Sequence, residues 1–167
     1  RDRLPRSGPF LLVSNHASYV DVPALMALIP SDFLFVSKKE ALRYPVIGTY
    51  LRRCGHLTVD RFDLKRSLAD AGLVARAVEE WGSVLVFPEG TFDGVPGLKR
   101  FHIGAFAAAV RGDMPLVPAV IHGTRRALPN KARLVRPGRV RVEILAPIPV
   151  PAAPRAGDEL RREARRR

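Results

Sequence analysis

Pro9-Phe10-Leu11-Leu12-Val13-Ser14-Asn15-His16-Ala17-Ser18-Tyr19-Val20-Asp21 sets the terms for the rest of the chain. Phe10 to Val13 is a short apolar run of the kind that makes a buried strand. Beyond Asp21, Val22 to Ile29 is apolar again, with Pro23 near its start, where a missing N–H costs a helix little. The residues between are therefore a strand-to-helix loop. His16 and Asp21 cannot share a helical face, since five helical steps would set them about 140° apart. On a loop that leads into a helix they can meet. Two readings stand at this point. In one, Asp21 is the helix N-cap and His16 a hydrogen-bonded loop residue. In the other, Asp21 orients His16 as a general base.

The pattern then repeats. Phe33 to Ser37, Leu57 to Val59, Val84 to Phe87, Leu116 to Ile121 and Val140 to Leu145 read as strands. Between them lie a short helix after Lys38-Lys39-Glu40 closed by Pro45, a helix over Val46 to Arg53 containing Gly48, and a small-residue helix over Phe101 to Val110. Leu64 to Trp81 places apolar residues at 64, 68, 71, 74, 75 and 78, an amphipathic spacing that Gly82 ends, with Trp81 assigned to the core. Strands alternating with helices predict an α/β domain, a largely parallel central sheet flanked by helices. His16, Lys38, Arg61, Glu89 and His122 each fall at or just past the end of a predicted strand. In a parallel sheet they gather on one rim, where such folds bind ligands. Prolines thicken after Arg136, which suggests the last sheet edge and an exit segment.

A length of 167 residues, 47% of them hydrophobic, suits one domain over residues 1–167. No stretch approaches the roughly 20 apolar residues of a membrane span, and no signal peptide is recognisable. The chain opens without methionine and stops within an arginine cluster, so it is expected to be a segment of a longer protein. A formal charge of +12 implies an anionic partner: nucleic acid, lipid headgroups or phosphorylated small molecules. Basic residues scattered along the chain and only 7% aromatics argue against nucleic acid. The C-terminal arginines suit either acidic lipid or a solvated helix end. A single cysteine, Cys54, excludes an internal disulfide and a multi-cysteine zinc site, and points to a reduced, cytoplasmic-side setting. It is read as packing, since its neighbour His56 is poorly placed to activate it.

Four blocks now stand in order: Asn15-His16-x4-Asp21, Gly55-His56-Leu57-Thr58-Val59-Asp60-Arg61, Val86-Phe87-Pro88-Glu89-Gly90-Thr91 and Val117-Pro118-Ala119-Val120-Ile121-His122-Gly123-Thr124. Together they resemble the blocks of the glycerolipid acyltransferases, the family of 1-acylglycerol-3-phosphate acyltransferase, from about Pro9 to Pro149. The resemblance implies transfer of an acyl chain from a thioester, acyl-CoA or acyl-ACP, to a hydroxyl of lysophosphatidic acid or a similar lysophospholipid. His16 would be the base and Asp21 its orienting carboxylate. Substrate would be held by Asn15, Lys38, Arg61, Glu89, Gly90 and Thr91. Among these, Arg61 and Lys38 would take the acceptor phosphate, Glu89 its hydroxyls, and Gly90 would let the backbone approach closely. No metal and no permanently bound cofactor are implied.

The chain departs from its relatives at Phe92, where many carry a basic or small polar residue; Lys99 or Arg100 would then supply a missing phosphate contact. His102 reads as a helix-start polar residue, His122 as pocket lining and His56 as structural. The expected partners are the acyl donor, a lysophospholipid and a membrane surface on its cytoplasmic face. Two alternatives stay open: a different hydroxyl acceptor, and a non-catalytic basic module that binds anionic membrane or nucleic acid.

Overall fold

The apolar run after Pro9 forms β1 (Leu11–Ser14), buried at every position. Leu11 and Val13 enter one core, Leu12 with Phe10 the other. A strand hidden on both faces needs covering layers on both sides of its sheet. The computed structural model, which describes residues 3–29, 33–43, 45–59, 72, 74–80, 82–130, 132, 134–152 and 155–167, has that architecture. Six strands lie in the order β3-β2-β4-β1-β5-β6, with β2 (Phe33–Lys38), β3 (Leu57–Val59), β4 (Ser83–Val86), β5 (Leu116–His122) and β6 (Arg141–Ile144). The first five in chain order run parallel and only β6 is antiparallel, against β5. Leu12 pairs with Leu85 on one side and Val117 on the other, so β1 is central. This is the largely parallel α/β sheet that the alternation predicted.

Helices α1 (Asp21–Leu28), α2 (Pro45–Arg53), α3 (74–80), α4 (Gly104–Arg111), α5 (Thr124–Ala127) and α6 (Ala156–Arg166) connect and cover the strands. Val74 and Val78 of α3, Phe106 and Ala108 of α4 and Leu160 of α6 fill the core on one face. Leu25 and Ile29 join Phe33, Leu85 and Phe87 on the other. A 3₁₀ turn, Lys39–Arg43, lies so close to α2 that a Cβ on Gly48 would stand 2.3 Å from the Leu42 carbonyl oxygen. That contact explains a glycine inside a helix.

Three expectations are corrected. Asp21 is the first residue of α1 rather than its N-cap, and no side chain caps that end. The small-residue helix starts at Gly104, not Phe101, because the chain before it is tied to the sheet rim by His102 N–H donating to the Pro88 carbonyl (2.8 Å). His102 is thus a pre-helical residue. The proline-rich tail does not exit: it returns as α6, with Leu160 fully buried and Arg165 over the Phe101 ring. The expectations for Arg61, Asp60, the N-terminal part of the 64–81 helix and Trp81 lie outside the described residues.

Candidate active site

Parallel strands bring their carboxyl ends to one rim, and there β1 hands over to the His16 loop. Asn15 fixes the departure point: its side-chain oxygen accepts the Ile121 N–H (2.8 Å) and its amide donates to the Ile121 carbonyl (3.1 Å). A side chain thereby continues the β1–β5 pairing while the backbone turns away. Both polar atoms of Asn15 are spent on the fold.

One step on, His16 Nδ1 lies 2.8 Å from Asp21 Oδ2. The same oxygen accepts the backbone N–H groups of Ala17 (2.7 Å) and Ser18 (2.8 Å). Asp21 is completely buried, so its carboxylate has exchanged water for three short donors. An oxygen already accepting from two amides requires Nδ1 to donate. That fixes the tautomer and leaves the Nε2 lone pair available, with no hydrogen bond to it among the described residues. Asp21 Oδ1 has no partner among the described residues. The imidazole stacks on Phe87 (centroids 4.1 Å apart, planes 14° from parallel) and meets the edge of Phe92 at 4.5 Å. Tyr19 packs against the other side of Phe92. The ring can therefore neither tilt nor slide, and its side chain is 17% exposed, enough for a reacting group to reach it.

Glu89 follows β4 and is buried. One carboxylate oxygen accepts His16 N–H (2.8 Å), the other Lys99 N–H (2.7 Å). The expectation had this carboxylate holding acceptor hydroxyls; the structure gives both oxygens to the backbone of the two loops that frame His16. Gly90 closes the turn behind it with φ +66°, a left-handed conformation that side chains resist. That conformation by itself calls for glycine there. Thr91 is exposed. Lys38 ends β2 on the same rim, with its backbone but not its side chain among what is described.

Of the two cations expected to compensate for Phe92, Lys99 pairs with Asp93, and Arg100 is exposed. The Asp93 carboxyl sits below its usual range, held there first by the Lys99 side chain and next by the Val95 N–H, with the field of Arg125 adding. Arg125 itself was not foreseen. It stands on α5, three residues past the end of β5, and its Nη1 is buried without a hydrogen-bond partner among the described residues. A guanidinium can donate to an anionic oxygen. Nothing in its sequence context distinguishes it from Arg126. His122 is exposed at the end of β5. His56 is structural, as expected: its Nδ1 accepts the Phe35 N–H (3.3 Å) and its ring packs on Phe35 and Tyr50. Cys54 is exposed, not packed. Among the described residues no group of three or more histidine, cysteine, aspartate or glutamate side chains is placed to hold a metal ion.

Residues 1–122, which include the His16–Asp21 pair at the rim of this α/β sheet, match the family model described as Acyltransferase. The chain belongs to that family. It is 34% identical over 139 residues to a 1-acyl-sn-glycerol-3-phosphate acyltransferase of Cocos nucifera, covering 83% of this chain and 45% of that one. With the alpha enzyme of the same name from Ovis aries it shares 31% identity over 146 residues, 87% of this chain and 51% of the other. Among solved structures, the 1-acyl-sn-glycerophosphate acyltransferase PlsC of Thermotoga maritima superposes with a TM-score of 0.79 at 25% identity, over 98% of this chain and 64% of that one. The chain thus spans about half the length of the curated relatives it matches.

Proposed function

We propose that this domain transfers an acyl chain from a thioester, acyl-CoA or acyl-ACP, to a hydroxyl of lysophosphatidic acid or a similar lysophospholipid at a membrane surface. The observation that carries this reading is His16 Nδ1 bonded to the buried Asp21 carboxylate, with Nε2 left unengaged. In the reaction, Nε2 removes the acceptor hydroxyl's proton as the oxygen attacks the thioester carbonyl carbon. The tetrahedral intermediate then expels the thiolate, which takes up that proton from the imidazolium. Asp21 stabilises the imidazolium without accepting the proton. The acceptor hydroxyl is the nucleophile, so no acyl-enzyme forms.

Asn15 and Glu89 act in this scheme as positioning residues, because their polar atoms are committed to the fold. Arg125 is assigned to the acceptor phosphate, together with Lys38 and Arg61 as the resemblance implies. The 1-acyl-sn-glycerol-3-phosphate for which the relatives are named supports a phosphate-bearing acceptor. Phe92 over the imidazole favours, as a second reading, a different hydroxyl acceptor with an apolar flank at that point.

The test is transfer from a radiolabelled acyl thioester to a panel of lysophosphatidic acid, other lysophospholipids and phosphate-free hydroxyl lipids. Acylation of lysophosphatidic acid supports the first reading, and transfer confined to phosphate-free acceptors supports the second. His16→Ala is expected to lower turnover by 10²–10⁴-fold or more. Near-normal turnover in that variant refutes the base assignment.

A further inference from the structure

Seven large hydrophobic side chains are exposed among the described residues, and five of them stand on the His16 loop and on two segments joined to it by ring packing and a hydrogen bond. Tyr19 is on the site loop, Val95 and Leu98 are on the loop after Glu89, and Leu134 and Val135 are on the loop after α5. Leu134 is the most exposed, at 81%. Scattered single apolar residues on a surface need no explanation, but a connected set does.

These segments are physically joined. Tyr19 packs on Phe92 at the start of the second segment. Ser18 Oγ donates to the Leu128 carbonyl at the start of the third (2.8 Å). Arg136 N–H donates to the Ala127 carbonyl (2.7 Å), which folds Leu134 and Val135 back beside α5.

The charge of this surface selects the partner. From Thr124 to Val140 the sequence holds six arginines or lysines and no aspartate or glutamate. Arg126, Arg136 and Arg139 are exposed on it. Apolar tips set among cations, with Asp93 between them paired to Lys99, suit the boundary between acyl chains and anionic headgroups. We infer that Tyr19, Val95, Leu98, Leu134 and Val135 form a bilayer-docking face, with Arg126, Arg136 and Arg139 on anionic headgroups, that seats the mouth of the His16 site on the lipid. The inference draws on the proposed activity only in that a lipid acceptor must leave a bilayer to reach His16. Among the described residues no helix is long and apolar enough to cross a membrane.

The test compares sedimentation of the full chain with vesicles of equal phosphatidylglycerol and phosphatidylcholine, and with vesicles of phosphatidylcholine alone. Binding to the anionic vesicles should weaken with salt. Leu134→Ser/Val135→Ser should reduce it at least tenfold. Arg136→Gln/Arg139→Gln should reduce it about thirtyfold. Arg162→Gln/Arg166→Gln on α6, a control of equal charge, should change it less than threefold. Turnover of a short-chain, monomerically dissolved lysophosphatidic acid should be unchanged in Leu134→Ser/Val135→Ser, which separates loss of docking from loss of the site. Failure of the unaltered chain to turn over that acceptor, with the vesicle pattern intact, strikes the acyltransferase reading and supports the docking face.

A second readout places an environment-sensitive fluorophore at Leu134→Cys, or at Arg162→Cys, in a Cys54→Ser background. Vesicles should blue-shift the first and not the second. The inference is overturned if the loop variants bind vesicles as the unaltered chain does, if the α6 control loses as much, or if the loop variants lose only binding to acyl carrier protein.

Discussion

Replacing Glu89 by glutamine keeps the shape of the side chain and removes one acceptor, which makes it the sharpest probe of the clamp between the two site loops. Both carboxylate oxygens accept backbone N–H groups, from His16 and Lys99. An amide has one acceptor only, so its NH₂ must face one of these donors. The surviving bond falls from charge-assisted to neutral, a loss of about 1 kcal/mol, and the orphaned buried N–H costs about 1–3 kcal/mol more. The sum is about 2–4 kcal/mol. For a domain of this size each kcal/mol moves Tm by about 2–4 °C, so the midpoint should fall by roughly 4–16 °C in scanning calorimetry.

Activity should fall as well, because the His16 backbone is one of the two clamped points. A displacement approaching 1 Å at a reacting group costs on the order of 10²-fold. Measured at a temperature where Glu89→Gln is fully folded, turnover should be at least tenfold lower. A melting midpoint within 1 °C of the unaltered chain, with unchanged turnover, refutes the reasoning.

Two further outcomes are expected. Asn15→Ala leaves the Ile121 N–H and carbonyl without their partner and should cost about 2–4 kcal/mol in urea denaturation at constant m, with Asn15→Asp intermediate; an unchanged midpoint removes the role assigned to that amide. Burial holds the His56 imidazole below its ordinary value of 6.5. The unfolded chain therefore takes up this proton before the folded one does. The stability it contributes is complete above about pH 6.5 and is lost as pH falls through the lower folded value. His56→Gln should flatten the decline in denaturation midpoint over that interval, and equal slopes in the two proteins refute the assignment.

The parts of this molecule that could be read beforehand are those set by local pattern. Phe10 to Val13 announces a strand by composition, and four strand-to-helix alternations are enough to call for a parallel sheet whose rim collects His16, Glu89 and His122. The His16–Asp21 contact was legible because only a few loop residues separate the two. What was not legible depends on which donors meet across the rim. Residue type alone presents Glu89 as a carboxylate free to bind substrate, and nothing local reveals that two backbone amides already occupy it. Phe87 and Phe92 enclose His16 through side-chain packing from the segment after β4, and Arg125 is singled out only by a buried guanidinium nitrogen without a partner among the described residues. The return of α6 was hidden because one leucine, Leu160, anchors a helix otherwise rich in charge.

The amide of Asn15 has one more implication. The loop that carries the base leaves the sheet at a point fixed on Ile121, the penultimate residue of β5, through one side chain. Because α5 begins two residues beyond β5, one strand end sets both the departure point of the His16 loop and the placement of Arg125, so the proton acceptor and the guanidinium share a single reference in the sheet.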